Sequence, residues 1–275
     1  MRRRLFDVAA ALALVVALTF LLLPLLAIFL RVSPATLARQ FGSDVAVDAL
    51  VVSLKTSAIA HVLVLLLGTP AAYVLALKRF RGRRVAIALV ELPLVLPPAV
   101  AGIGLLAAFG RRGLLGGSLS ALGISIPFTQ AAVVMAVAFV ASPFYVRQAI
   151  AAFEGVDPAL LDASRTLGSR PFATFRRVAL PLAAGGLGAG SALAWARGLG
   201  EFGATIMFAG SLQGVTQTLP LSIYAQLARD FDVALAVGGF LVVVSAAILV
   251  TVKLLPSWRR FESIWPIRSA PSPST

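Results

Sequence analysis

Apolar residues run along this chain in blocks rather than in alternation. Residues 8–30, 56–77, 85–109, 124–146, 178–196 and 233–252 each come close to the roughly 20 residues that a bilayer crossing needs. The only ionisable side chains inside these stretches are His61 and Glu91. Neither a period of two nor a fixed-length repeat runs through them, so each is expected to be a helix, which satisfies its own backbone groups in lipid. The pattern predicts an all-α integral membrane protein, a bundle of six transmembrane helices in one domain over residues 1–265, with a flexible C-terminal tail at 266–275.

Composition narrows the class. The 275 residues are 59% hydrophobic and 13% charged, with 24 Lys and Arg against 11 Asp and Glu, a net charge of +13. A disordered basic tail needs low hydrophobicity, and a soluble nucleic-acid module this basic carries far more charge, so nucleic acid is not an expected partner. A mean hydropathy of +0.95 leaves too few polar residues to wet a soluble surface. With no cysteine in the chain, disulfides, thiolate nucleophiles and thiolate metal sites are excluded.

Basic residues collect on the cytoplasmic side of membrane proteins. With six spans and an inner N-terminus, that side receives Arg2 to Arg4, then Lys78, Arg79, Arg81, Arg83 and Arg84. Arg147, Arg165, Arg170, Arg176 and Arg177 follow in the next inner loop, and Lys253, Arg259, Arg260 and Arg268 in the tail. Arg31, Arg39, Arg111, Arg112, Arg197 and Arg229 fall at the outer face, and Lys55 near a span end. Both termini are therefore expected in the cytoplasm, with anionic membrane lipid as the nearest counter-charge. The first stretch follows three arginines as a signal peptide would, but its apolar run is too long and no A-x-A site follows, so it is expected to remain as a span. Residues 202–228 are cut by Gly210, Gly214 and Pro220. Counting them as a seventh span weakens the charge bias, so they are expected to form an outer loop with one or two short or re-entrant helices.

The longest inner loop, residues 148–177, carries its own structure. Asp157 and Pro158 form a helix start, Leu160, Leu161, Ser164 and Leu167 fall on one face, and Gly168 ends the helix in a left-handed turn. Ser169 then caps a second helix with Pro171 in its first turn and Phe172, Phe175 and Val178 or Ala179 on one side. Such a knob can dock on a cytoplasmic partner, lie on anionic lipid or cover its own bundle, and the residues alone leave all three open.

At these residues a resemblance enters. Asp162-Ala163-Ser164, three residues, Gly168, nine residues, then Val178, Leu180 and Pro181 resemble the EAA loop of binding-protein-dependent ABC importer permeases. Asp162 stands where that family has Glu, and Ser164 where it has the second Ala. The likeness extends to the run from Glu91 to Gly102, to Phe109-Gly110-Arg111-Arg112-Gly113, to the run from Gly200 to Gly210, and to Thr216-Gln217-Thr218-Leu219-Pro220-Leu221. These stretches are similar to the molybdate branch, ahead of tungstate and sulfate. The resemblance implies the six-helix architecture of type I importer permeases in a bacterial or archaeal plasma membrane. It also implies a second permease copy, two cytoplasmic ATPase subunits and an extracytoplasmic oxyanion-binding protein. Ala159, Leu160, Leu161, Asp162, Ala163, Ser164, Leu167, Gly168, Ser169, Arg170 and Pro171 are implied to meet the ATPase.

The chain supplies no ATPase site of its own. The lysines Lys55, Lys78 and Lys253 follow Leu, Leu and Val, so no G-x4-G-K-[ST] loop exists, and ATP is expected on the partner with no cofactor here. His61 is the only histidine and is expected to be a satisfied bundle residue. Asp44, Asp48, Asp230 and Asp232 read as solvated loop charges, and no metal site is expected. Gly198, Gly200, Gly203 and Gly210 permit close backbone approach to a path, Thr205 and Ser211 offer hydroxyls, and Pro93, Pro97 and Pro98 interrupt the third stretch. An equally plain reading is that Gly and Pro are common in membrane helices. Arg197 and Glu201 lie four apart and are expected to pair as a clamp or gate element beside Phe202, while Glu91 is expected to pair with Arg83 or Arg84 or to assist the coupling loop. The rival classes are an ATP-independent secondary transporter and a membrane scaffold. The first is disfavoured by the scarcity of ionisable residues in the spans.

Overall fold

The computed structural model describes residues 2–254, and all regular structure among them is helical. Helix α1 (Arg2–Arg31) is exposed along its apolar length and is tied to the body near its end, where the Arg31 guanidinium lies 5.3 Å from the Phe231 ring centroid. Helix α2 (Pro34–Phe41) is capped by Ser33, and α3 (Asp44–Leu77) by Ser43, each hydroxyl accepting a backbone N–H from its helix's first turn. At 1.5 Å per residue α3 is about 50 Å long, well beyond the roughly 30 Å of a hydrocarbon core. Its start, with Asp44 and Asp48, therefore projects into the polar region, although the sequence places the span start at residue 56.

The third apolar stretch departs from the expected single span. It breaks into α4 (Arg83–Val95) and α5 (Pro98–Phe109), bent by 114°. The cause is local: Leu96 precedes Pro97 and is driven to an extended conformation (φ −71°, ψ 132°), and Pro97 is itself extended before Pro98 opens α5. After α6 (Gly116–Ala121), α7 (Gln130–Glu154) starts six residues later than expected, at a Thr129 cap, and runs on past residue 146. Residues 148–154 thus continue α7 as helix.

Helix α8 (Pro158–Thr166) is followed by α9 (Pro171–Thr174), a π-helical turn (Phe175–Ala179) and α10 (Leu180–Leu199). The last three form one continuous helical segment, Pro171–Leu199, so the second knob helix is the root of the fifth span. Residues 202–228 contain two short helices, α11 (Gly203–Ala209) and α12 (Leu219–Leu227), before α13 (Phe231–Leu254). Among the described residues four helices are long and apolar enough to cross a membrane, and the α4–α5 pair makes a fifth if it is one broken crossing. The tail residues Arg259, Arg260 and Arg268, and the segment 266–275, lie outside the described residues.

Packing centres on α7. A Cβ on Gly186 of α10 would sit 2.5 Å from Ala152 Cβ, one on Gly190 2.9 Å from Gln148 Cβ, and one on Gly198 3.0 Å from Val137 Cγ1. With Ala194 between them, these small residues recur every fourth position and let α10 approach α7 closely, which in lipid replaces the missing hydrophobic drive with contact area. Against the other side of α7 lies α3, through Val64, Ala72 and Leu75. At one end α5 and α11 are drawn together, because a Cβ on Gly102 would sit 2.6 Å from the Ala204 carbonyl oxygen.

Because the obstruction at Gly102 is backbone, it cannot yield. Gly102→Val should lower stability by about 1–3 kcal/mol, read as a fall in the melting temperature of detergent-purified protein. Gly104→Ala, with nothing within 4 Å of the added methyl, should leave it unchanged.

Candidate functional site

Two constellations stand at opposite ends of the Pro171–Leu199 helical segment. The first is the knob. Asp157 caps α8, its carboxylate accepting the Ala159 N–H at 2.9 Å. The helix ends in a Schellman turn, with Gly168 N–H donating to the Arg165 carbonyl and Ser169 N–H to that of Ser164, while Gly168 takes φ 81°. Ser169 is consequently part of this C-cap. It does not cap the next helix as expected, and Arg170 occupies that position without a side-chain cap bond.

The expected apolar face divides in two. Leu161 is buried, and half-buried Ser164 lies 3.1 Å from the buried Thr174 hydroxyl, so these residues fasten α8 to the root of α10. Leu160 and Leu167 instead face away, 48% and 86% exposed, and Phe172 is 71% exposed beside them. Ala159, Ala163, Arg170 and Pro171 are also exposed, and the Asp162 carboxylate pairs with Arg165 at 2.9 Å. Behind the knob, Phe175 of the π turn meets Tyr73 of α3 edge-on at 4.8 Å, and Tyr73 meets Phe153 of α7 at 5.4 Å. The π turn thus turns Phe175 inward while Arg176 and Arg177 remain exposed.

The second constellation is built where α10 ends. Glu201 is 1% exposed, and its Oε2 lies 2.8 Å from Arg197 Nη1, an ion pair one helical turn apart. Its other oxygen accepts the Ala204 N–H at 2.7 Å, at the start of α11. One carboxylate therefore neutralises Arg197 and satisfies a free N–H of α11, and both contacts offset the cost of burying it. The start of α11 lies against the broken third stretch, where a Cβ on Gly203 would sit 2.9 Å from Pro98 Cβ. Pro97, Pro98 and Gly200 are exposed, Phe202 is half-buried with its ring 5.2 Å from Tyr224, and Thr205 is fully buried with its hydroxyl unpartnered among the described residues. The named residues do converge, as a junction of α5, α10 and α11. The Ser211 hydroxyl oxygen accepts from Gln217 Nε2 at 3.1 Å.

Other expectations change. Glu91 pairs with Arg147 of α7 at 3.6 Å and not with Arg83 or Arg84, while Arg83 pairs with Glu154 and donates to the Leu75 carbonyl. His61 meets Ser191 Oγ at 2.8 Å and the Trp195 ring edge-on at 4.8 Å, beside a small cavity also lined by Ser57 and Gly198, as a satisfied bundle residue should. No group of three or more metal-ligating side chains forms among the described residues. Asp230 is more than a solvated charge, because it caps α13 through the Asp232 and Val233 N–H groups. Sequence reasoning passed over Ser53, whose buried hydroxyl accepts the Leu219 N–H at 2.8 Å and anchors α12 to α3. The signal was present, since Ser53, Thr56 and Ser57 are hydroxyls on one face of a long apolar helix.

The family model described as binding-protein-dependent transport system inner membrane component matches residues 65–258. The molybdenum transport system permease protein ModB of Mycobacterium tuberculosis is 48% identical over 86% of this chain and 90% of its own. The sulfate transport system permease protein CysT of Salmonella typhimurium is 32% identical over 92% of each. Among solved structures, a chain of a bacterial alginate ABC transporter in complex with an alginate-bound periplasmic protein superposes with a TM-score of 0.76 at 16% identity. It covers 92% of this chain and 93% of that one.

The double duty of Glu201 predicts a graded response. Glu201→Gln keeps an acceptor for Ala204 and loses the charge, whereas Glu201→Ala loses both and leaves Arg197 unpaired, at a cost of about 1–3 kcal/mol. Thermal unfolding of the purified protein should rank wild type above Gln, and Gln above Ala.

Proposed function

This chain belongs to the binding-protein-dependent transport system inner membrane components, and on that premise we propose that it is the permease subunit of an ATP-driven oxyanion importer, taking up molybdate. The observation that carries the substrate is the 48% identity, over nearly the whole chain, to a permease named for molybdenum transport. The relative named for sulfate stands at 32%, which makes sulfate the second reading, with tungstate a chemical near-equivalent of molybdate. The chain is a multi-pass helical membrane protein.

In the working assembly two copies form a homodimer in a bacterial or archaeal plasma membrane, bind two cytoplasmic ATPase subunits and receive the anion from an extracytoplasmic binding protein. Six crossings, with α4–α5 as one broken crossing and α13 as the last, put both termini in the cytoplasm, in keeping with the basic residues around α3, α4 and the knob. Exposed Leu160, Leu167 and Phe172 give the knob an apolar face that fits a cleft on the ATPase, with residues 159–171 as the contact. ATP and its hydrolysis belong to that partner, and this chain binds no cofactor.

The anion's path runs beside the α5, α10 and α11 junction. A bare dianion in hydrocarbon is prohibitive, so the path must offer dipoles and water. Residues 200–203 and Pro97-Pro98 lie where helices break and backbone groups come free, and Thr205 adds a hydroxyl there. Paired with Arg197, Glu201 presents no net repulsion to an anion and acts as a clamp or gate. ATP binding closes the ATPase pair, the knobs follow, the continuous Pro171–Leu199 segment carries the movement across the membrane, and hydrolysis resets the inward state.

Proteoliposomes holding the permease, its ATPase and its binding protein should take up molybdate and tungstate in preference to sulfate, and only with ATP. Preferred sulfate uptake would install the second reading, and uptake without ATP would remove the importer reading. Gly168→Val forces a branched residue to φ 81° and should sharply reduce the ATPase retained on co-purification, and undiminished retention would remove the knob from the docking contact.

A further inference from the structure

Three helices carry a weakness at one level of the bundle. In α3 it is Pro70, which cannot donate to the Leu66 carbonyl, and in α7 it is Pro143, which leaves the Phe139 carbonyl without its helical donor. A hydroxyl residue precedes each proline and bonds back along its own helix. Thr69 Oγ1 donates to the Leu65 carbonyl at 2.7 Å, and Ser142 Oγ to the Phe139 carbonyl at 3.2 Å. Such back-bonding bends helices. The two sites face each other: a Cβ on Gly68 would sit 2.9 Å from Tyr145 Cδ1 and 3.1 Å from Val146 Cγ2. Across that contact Thr69 Oγ1 and Tyr145 Oη lie 2.5 Å apart, with Tyr145 buried. The third helix, α10, brings Gly190-Ser191 to the same level, a Cβ on Gly190 falling 3.3 Å from the Tyr145 carbonyl oxygen. Proline and Gly-Ser pairs are the usual places where helices kink.

Above and below this level the molecule is cross-braced. On the knob side, Tyr73, Phe153 and Phe175 stack edge to edge, and Arg83–Glu154 and Arg147–Glu91 tie α4 to α7. On the other side, Ser53 holds α12 to α3, Glu201 joins α10 to α11, and Gly102 seats α11 on α5. Braced ends joined through a layer of weakened helices will bend at the layer.

We propose that the layer formed by Gly68-Thr69-Pro70, Ser142-Pro143 with Tyr145, and Gly190-Ser191 is the hinge of the transport cycle, and that Thr69 and Tyr145 are positioning residues whose hydrogen bond latches the conformation seen here. The proposal rests on the alternating-access reading above. Tyr145→Phe is a clean probe, because the ring still fills the space at Gly68 and the Thr69 hydroxyl keeps its bond to Leu65.

The chain has no native cysteine, so spin labels can be placed singly, at Ala131→Cys at the start of α7 and at Lys78→Cys after α3, both exposed. Pulsed EPR on the full complex in nanodiscs then reads the distance between equivalent labels in the two copies, with and without trapped ATP. In the wild type, the two label pairs should move in opposite senses. If neither pair moves, alternating access fails and the hinge with it. Losing one ordinary hydrogen bond should shift the ratio of the two distance populations about fivefold away from the one matching this structure. That shift is expected for Tyr145→Phe and for Thr69→Val, with Thr69→Ser restoring the wild-type ratio. Pro70→Ala with Pro143→Ala should suppress the ATP-driven displacement while the ATPase still co-purifies. Wild-type movement with unchanged ratios in Tyr145→Phe and Thr69→Val, or with full displacement in the double proline variant, would overturn the hinge and leave the importer reading standing.

Discussion

In hydrocarbon no water is available to a backbone N–H or carbonyl that loses its helical partner, and each such group costs several kcal/mol. The architecture follows from where this chain accepts breaks and how it repairs them. Between α4 and α5 two prolines consume the positions that need no donor. Between α10 and α11 a carboxylate caps the new helix while holding the arginine of the old one. At α12 the repair comes from Ser53 on a different helix, and inside α7 from Ser142. The breaks at the α5, α10 and α11 junction free polar backbone where an anion would need it, which is why structural repair and proposed path coincide there.

A second consequence is mechanical. Because the π turn keeps Pro171–Leu199 continuous, the second knob helix is one end of a long helix, which the proposed cycle uses as a lever. One end carries the exposed Phe172, next to α8 with its exposed Leu167, and the other carries Arg197 to Glu201. The small residues at 186, 190, 194 and 198 let this lever lie directly on α7, where close contact resists independent drift but permits the two helices to bend together.

The apolar blocks, the helix start at Asp157, the left-handed turn at Gly168 and the Arg197–Glu201 pair were all legible in the residues. Each depends on neighbours within one or two turns. The misreadings have other causes. Ser169 looks like a cap, but it closes the turn that ends α8, and Arg170 takes the N-cap position of the next helix. Glu91 is close in sequence to Arg83 and Arg84, yet α7 brings Arg147 to it. Span starts were displaced at α3 and α7 because hydropathy marks the lipid-compatible stretch, whereas capping by Ser43 and Thr129 marks the helix.

By itself, the sequence determined membrane residence, helical class, the start and turn of the knob's first helix and the family likeness, since hydrophobic length, charge placement and short motifs are local quantities written directly in residue order. Tertiary structure alone decided which glycines are contact points, that the third stretch folds back by 114°, that Glu201 serves two helices, and that Gly68-Thr69 of α3 meets Tyr145 of α7. Those outcomes depend on distances between residues far apart in the chain, and close packing, not residue order, sets such distances.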